Sequence, residues 1–279
     1  RMTVEDGRGT GPSLSVVMPA YRQARTIAED LARVVGTLQA AGLDFEVIVV
    51  VDGRVDETEA QARAVAATDR RVSVLAYEDN RGKGHAVRLG FAHAVGALVG
   101  FLDAGMDIEP RALVRAVVAQ RAARADVVIG SKRHPMSEVT YPLIRRVYSA
   151  GYQLLIRTLF GVDVRDTQVG MKVFRREVLE AILPRLMVKR FAFDIELLVA
   201  AHEAGYRRVV EVPVTVMHYA FASSVRWSSV MEMLWDTAAV WYRARLRRQY
   251  AADVVDRICQ TYAPADQGRS TQNVSSTLN

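Results

Sequence analysis

Apolar and polar positions fall into repeating blocks along the first half of the chain. Short apolar runs at 14–19, 45–51, 71–77, 94–102 and 125–130 are each closed by polar, acidic or proline-containing residues. These runs are expected to be strands. The 45–51 run has almost no polar member, as a parallel strand covered on both faces should. Between the runs lie segments with helical spacing. In 26–41 the apolar residues Ile27, Leu31, Val34, Val35 and Leu38 share one face, and Gly42 ends the pattern. Further helices are expected after the 52–58 turn, at 86–95 and at 110–124. Four rounds of strand, short loop and helix predict an α/β fold. The expected form is a doubly wound, mainly parallel sheet with helices on both faces.

Beyond residue 130 the rhythm changes. Residues 142–160 read as a helix with Ile144, Val147, Tyr148, Gly151, Tyr152, Leu155 and Leu159 on one face. A polar loop at 163–175 leads into a strand. A helix at 194–204 and a strand at 209–214 follow. From Trp227 a long helix carries Met231, Leu234, Trp235, Ala238, Trp241 and Tyr242, and ends in Arg243, Arg245, Arg247 and Arg248. The expected organisation is a flexible leader over 1–12, one domain over 13–225, an amphipathic helix over 226–250 and a mostly disordered tail over 251–279. No internal repeat is visible.

In an open α/β sheet ligands bind beyond the carboxyl ends of the strands. The loops Pro19-Ala20-Tyr21, Asp52-Gly53, Glu78-Asp79-Asn80 and Asp103 should therefore gather on one edge. Asp103 and Asp107, in Gly100-Phe101-Leu102-Asp103-Ala104-Gly105-Met106-Asp107-Ile108-Glu109-Pro110, are either site carboxylates or ordinary turn residues ahead of a helix.

Composition narrows the chemistry. The chain has 279 residues, is half hydrophobic, and has a formal net charge of +6. That basic balance suits phosphate-bearing partners. The single cysteine, Cys259, excludes an intrachain disulfide and a cysteine metal site. The polar, Gly-rich opening is not expected to act as a signal peptide, and no apolar run reaches the ~18 residues of a membrane span. The first strand is not followed by G-x-G-x-x-G, and neither a Walker A loop nor a G-x-S-x-G elbow is present. Two separated aspartates with basic residues nearby suit a nucleoside diphosphate. One carboxylate can accept from a base edge, and another can hold a divalent metal on the diphosphate. Lys83, opening a helix, is either a phosphate-facing cation or a solvated turn lysine.

The ordered motifs resemble family 2 inverting glycosyltransferases of the GT-A type, in the branch of dolichyl-phosphate glucosyltransferase and dolichyl-phosphate mannose synthase. The resemblance spans roughly 13–230. It rests on Val16-Val17-Met18-Pro19-Ala20-Tyr21, on Val50-Val51-Asp52-Gly53-Arg54-Val55-Asp56-Glu57-Thr58, and on Asn80-Arg81-Gly82-Lys83-Gly84-His85-Ala86. Gly130-Ser131-Lys132-Arg133, Val164-Arg165-Asp166-Thr167-Gln168-Val169-Gly170-Met171-Lys172 and Arg190-Phe191-Ala192-Phe193-Asp194-Ile195-Glu196 continue the series. The family's D-A-D motif is here Asp103-Ala104-Gly105, which lacks the second acid.

The resemblance implies a nucleotide site built from Pro19, Ala20, Tyr21, Gln23, Asp52, Gly53, Lys83, Asp103 and Ala104. It implies acceptor contacts from Ser131, Lys132, Arg133, Arg145 and Gln168. Asp103, Asp194 and Arg226 are the expected catalytic residues, and Asp103 with Asp107 the expected Mg²⁺ or Mn²⁺ ligands. Three alternatives follow from Gly105: a metal held by Asp103 and Asp107 with water, basic residues in place of metal, or nucleotide binding without transfer. Arg226 is either a cation for the leaving group or a surface arginine. Glu196 and Asp194 either meet the sugar or position a basic residue, or else form a buried structural pair with Lys172 or Arg190. The implied reaction moves a hexose from a UDP- or GDP-sugar to a polyprenyl phosphate, whose phosphate oxygen needs no general base. A soluble acceptor is the alternative. The 142–160 and 227 helices are either interfacial or core-covering, and the favoured placement is peripheral, on the cytoplasmic membrane face. Nucleic acid is not among the expected partners.

Overall fold

The computed structural model describes residues 11–138, 143–188, 192–217 and 227–250. β1 (Leu14–Ala20), α1 (Ile27–Ala40), β2 (Phe45–Asp52), α2 (Thr58–Thr68), β3 (Val72–Tyr77), α3 (Lys83–His93) and β4 (Leu98–Leu102) alternate as the hydrophobic pattern predicts. α4 (Arg111–Ala123), β5 (Val127–Ser131), α5 (Leu143–Phe160), β6 (Met171–Arg175), α6 (Arg176–Ile182), α7 (Phe193–Glu203), β7 (Val209–Pro213) and α8 (Trp227–Trp241) complete the order.

The seven strands form one sheet in the order β3-β2-β1-β4-β6-β5-β7. β1 pairs in parallel with β2 and β4, β2 with β3, and β5 with β7. β6 alone runs antiparallel, wedged between β4 and β5. The period of two along β1 sends Val17 to one face and Val16 and Met18 to the other. The first face packs on α3, α5, α6 and α7, around Phe91, Phe101, Phe160, Phe174 and Phe193. The second packs on α1, α2 and α4 through residues such as Ile27, Leu31, Ala62 and Leu113.

Two boundaries differ from the pattern. The apolar run from 94 is strand only from Leu98, because the Ala94 N–H closes α3 on the Gly90 carbonyl and the Ala97 N–H bonds to Pro12. α3 begins at Lys83 rather than at 86, because Gly82 adopts φ +94° and its carbonyl accepts from His85 and Ala86. α6 was not marked by the hydrophobic pattern.

Glu196, on α7, ties down the floor beside α3. Fully buried, it accepts from the Met187 and Val188 N–H groups and from the Tyr250 hydroxyl, at 2.6 Å in the last case. Replacing Glu196 by Gln keeps the shape but strands donors, which should cost about 1–3 kcal/mol. Chemical denaturation is expected to show an earlier midpoint at unchanged slope. An unshifted midpoint would refute this anchoring role.

Candidate functional site

The carboxyl ends of β1, β2, β3, β4 and β5 share one edge of the sheet, and the amino end of the antiparallel β6 joins them there. Two aspartates on that edge have opposite environments. Asp52, the last residue of β2, is buried. Its carboxylate accepts from the Tyr77 hydroxyl (2.7 Å), Asn80 Nδ2 (3.0 Å), the Arg81 N–H (2.7 Å) and the Gly82 N–H (3.0 Å). Burial and the Asp52 carboxylate together push the Tyr77 phenol well above its ordinary value, so it stays a donor. Asp52 is thus a clamp that shapes the Asn80–Lys83 loop, and its oxygens are already in use. A base edge would have to compete with four internal donors.

Asp103, just past β4, is built differently. Its N–H bonds to the Gly170 carbonyl at 3.0 Å, and its Oδ2 takes the Lys83 ammonium at 2.8 Å. Its Oδ1 is buried with no hydrogen-bond partner among the described residues. Burial raises the Asp103 carboxyl above the ordinary carboxylate value, with Lys83 working against the rise. Gly170 is required here because a Cβ would come within 2.3 Å of Asp103 Oδ2.

Lys83 also reaches Asp194 Oδ2 at 3.4 Å, and Lys172 Nζ lies 2.5 Å from Asp194 Oδ1. The four groups form a quartet against the Phe101 ring, whose centroid is 4.8 Å from Lys83 Nζ and 5.3 Å from Lys172 Nζ; Lys172 and Asp194 are its buried half, and Lys83 and Asp103 reach the surface. Burial opposes every charge in it. The Lys172 and Lys83 ammoniums nevertheless hold Asp194 below its ordinary value, and Asp103 with Asp194 keeps Lys83 above its own. Lys172 is pulled below the ordinary lysine value by burial, against the pull of Asp194. Of the roles open to Asp194, its geometry is that of a pair with the buried Lys172 and a contact with a second basic residue, Lys83.

A small cleft of about 130 Å³ opens beside the quartet, lined by Leu102, Asp103, Asp107, Ile108, Lys132, Gln168 and Gly170. Lys132 is oriented through its N–H, which donates to Asp166 Oδ2 at 3.1 Å, and the Gln168 N–H donates to Asp166 Oδ1 at 3.2 Å. Expected acceptor residues Lys132 and Gln168 therefore meet expected metal ligands Asp103 and Asp107 in one place. Ser131 is buried behind them, and Arg133 is exposed. The backbone of Arg145 lies in α5, but its side chain, like all of Arg190 and Arg226, lies outside the described residues.

The loop after β1 borders the other side. Pro19 and Ala20 end the strand, and Tyr21 is exposed under the Arg22 guanidinium, 5.2 Å from its ring centroid. The Gln23 N–H donates to Thr58 Oγ1 at 2.8 Å, and Thr58 in turn donates to Asp56, so the two first loops are fastened together. Gly53, at φ +97°, packs on Asn80. Ala104 approaches the Pro19 carbonyl, and the Gly105 N–H donates to Asp30 Oδ2 at 2.9 Å. Gly105 has φ +89°, and a Cβ there would point at the Gln23 amide, 3.5 Å away.

Asp103 with its open Oδ1, and Asp107 in the same cleft, offer oxygen donors suited to a hard divalent cation. Among the described residues no group of three or more His, Cys, Asp or Glu side chains gathers for a metal. Sequence reasoning weighed Lys172 only as a partner for the α7 acids and gave Gly170, Phe101 and Tyr77 no site role. The usable signal for Lys172 was a lone charge in the apolar strand Met171-Lys172-Val173-Phe174.

The sheet order, with one antiparallel strand inserted after β4 and a carboxylate at the end of β4, is that of GT-A glycosyltransferases. Among solved structures, glucosyl-3-phosphoglycerate synthase from Mycobacterium tuberculosis, in complex with Mn²⁺, UDP and phosphoglyceric acid, aligns with a TM-score of 0.63 at 21% identity over 83% of this chain and 78% of its own. Mannosyl-3-phosphoglycerate synthase from Rubrobacter xylanophilus aligns at 0.65 and 17%, over 85% and 76%. Both establish the fold. Residues 15–183 match glycosyl transferase family 2, and the chain belongs to that family. It is 36% identical over 206 residues to glycosyltransferase AglD of Haloferax volcanii, covering 73% of this chain but 33% of AglD. It is 34% identical to a dolichyl-phosphate beta-glucosyltransferase of Drosophila melanogaster, over 67% of this chain and 62% of the relative. With polyprenol monophosphomannose synthase of Mycolicibacterium smegmatis it shares 32% over 88% and 95%. The chain thus spans a third of AglD and under two thirds of the fly enzyme.

The quartet makes a pH prediction. Asp194, held below the usual value, contributes stability that is complete above the ordinary carboxylate pKa of about 4. That contribution disappears as pH falls through its lower folded-state pKa. Asp194→Asn is therefore expected to be less stable than wild type at pH 7 and to converge with it in strong acid. Denaturation curves from pH 2 to 7 that stay parallel would count against the coupling.

Proposed function

We propose that the chain transfers a hexose, with inversion, from a nucleoside diphosphate sugar to a polyprenyl monophosphate. The observation that carries the reading is Asp103. It is a half-buried carboxylate with one buried oxygen unpartnered among the described residues and the other on Lys83, at the strand edge where Lys132 and Gln168 converge. A carboxylate of that kind suits a cation on a diphosphate. The lipid acceptor is supported by the dolichyl-phosphate and polyprenol names of relatives that match over most of this chain.

UDP-glucose is the favoured donor over GDP-mannose, on the Val164–Gln168 and Asn80–Gly84 motifs. Asp103 and Asp107 would hold Mg²⁺ or Mn²⁺, which supplies positive charge to the departing diphosphate. Lys83, at the start of α3, adds a second cation on the same side. The Asp52 clamp fixes the loop that carries it. Lys132, with Gln168, places the acceptor phosphate, whose oxygen is already ionised and attacks the anomeric carbon directly. Arg226 is the proposed further cation for the leaving group.

The acceptor must arrive from a lipid surface, and the C-terminal helices suit one. Trp235 on α8 (79% exposed) and Leu246 just beyond it (64%) are bare, as is Leu154 on α5 (65%), and the exposed Arg245, Arg247 and Arg248 flank Leu246, whereas Arg243 is turned inward to Glu196. Aromatic and apolar residues beside arginines fit an anionic, cytoplasmic membrane face. No helix among the described residues is long and apolar enough to cross a membrane.

The test is direct. With labelled UDP-glucose or GDP-mannose, a short-chain polyprenyl phosphate and Mn²⁺, chloroform-soluble label is expected, strongest from UDP-glucose. Label from neither donor would sink the proposal, and label only on a water-soluble acceptor would replace it. Asp103→Asn should lower turnover by about 100-fold or more, and an unimpaired variant would remove Asp103 from the site. Trp235→Ser should weaken sedimentation with phosphatidylglycerol vesicles; unaltered sedimentation would clear α8 of membrane contact.

A further inference from the structure

Lys172 lies beneath the cleft and has no exposed surface. It is the second residue of β6, between the buried Met171 and Val173. A buried ion pair is often no more stabilising than apolar packing of the same volume. Its ammonium bonds to Asp194 Oδ1 at 2.5 Å and to the Val169 carbonyl at 2.9 Å. Asp194 opens α7 but does not cap it; both oxygens are turned to lysines. The chain of contacts continues from Asp194 Oδ2 to Lys83 Nζ at 3.4 Å, and from Lys83 to Asp103 Oδ2 at 2.8 Å. Two ammoniums and two carboxylates balance. Among the described residues, the one oxygen of the quartet left without a partner is Asp103 Oδ1.

We propose that Lys172 is a positioning residue: acting through Asp194, it keeps Lys83 on Asp103 and sets the charge felt at Asp103 Oδ1. The inference rests on the reading of Asp103 as the donor-side carboxylate. With Lys172 present, Asp194 is already neutralised, so Lys83 is left to Asp103. Without it, Asp194 draws Lys83 away, and the cluster passes from neutral to one negative charge. Neutralising Asp194 has the opposite effect, leaving one surplus positive charge beside Asp103. Removing both charges restores the balance and leaves Lys83 with Asp103 as its sole counter-ion.

The experiment is a charge series on the full chain: wild type, Lys172→Met, Asp194→Asn and the double variant. Mn²⁺ binding is read by electron paramagnetic resonance with saturating UDP, and folding by thermal unfolding. Mn²⁺ affinity is expected to rise about tenfold in Lys172→Met and to fall about tenfold in Asp194→Asn. In the double variant it should return to within about threefold of wild type. UDP affinity measured without metal should follow the reverse order. A merely structural pair predicts equal affinities in every folded variant, and that result would overturn the proposal. Should Lys172→Met fail to fold, Lys172→Gln takes its place, and the fall in Asp194→Asn with its recovery in the double variant decides alone. If wild type binds neither Mn²⁺ nor UDP, the donor-site reading itself falls and takes this proposal with it. That outcome is distinguished by the wild-type baseline.

Discussion

The antiparallel pairing of β6 with β4 is the constraint on which the site depends. Its register sets Leu102 opposite Met171 and Phe101 opposite Lys172. The chain therefore arrives at the site edge from outside the sheet, with Gly170 against Asp103 just before the strand begins. Reversing the strand would deliver its other end. The close contact at Gly170 and the charge beneath Phe101 both follow from this one crossing. So does the meeting of the Asp166–Gly170 loop with the β4 loop, two segments some 60 residues apart.

Two aspartates at neighbouring strand ends show how environment divides a single residue type. Asp52 is surrounded by donors from its own chain and acts as masonry for the Asn80–Lys83 loop. Asp103 is only half-buried, yet its inward oxygen, Oδ1, has no donor among the described residues. Interiors rarely leave a buried acceptor atom unpaired, and the proposed role of Asp103 rests on that imbalance. Glu196 is the opposite case, a fully buried carboxylate with both oxygens engaged.

Much of this was legible in the chain. The five strand-and-loop blocks follow from period alone, because parallel strands buried on both faces leave apolar runs that local turns must end. The convergence of Asp52, Lys83 and Asp103 on one edge follows from the crevice rule. The saturation of Asp52 was not legible, since its donors are mostly backbone N–H groups with no side-chain signature. The quartet was legible only in fragments. Asp194 and Lys172 are 22 residues apart, and nothing in spacing shows that β6 turns Lys172 inward under Phe101. The start of α3 at Lys83 was missed because helical periodicity is blind to a first turn whose apolar face has not yet begun. The connection at 94–97 between α3 and β4 was hidden because its alanines and valine merge with the apolar run of the strand, leaving Gly96 as its one turn signal.

Gly105 stands where the D-A-D motif of the sequence resemblance has its second acid. It is a left-handed residue, its N–H fastened to Asp30 and its missing side chain aimed at Gln23. An L-amino acid would be strained in that conformation by about 1 kcal/mol or more. A Gly105→Asp change would thus install an acid on a backbone that disfavours it, though the space is there: the new Cβ meets the Gln23 amide only at ordinary contact distance, and the bond from the residue 105 N–H to Asp30 needs no glycine. The obstacle to a second acid is conformational rather than steric.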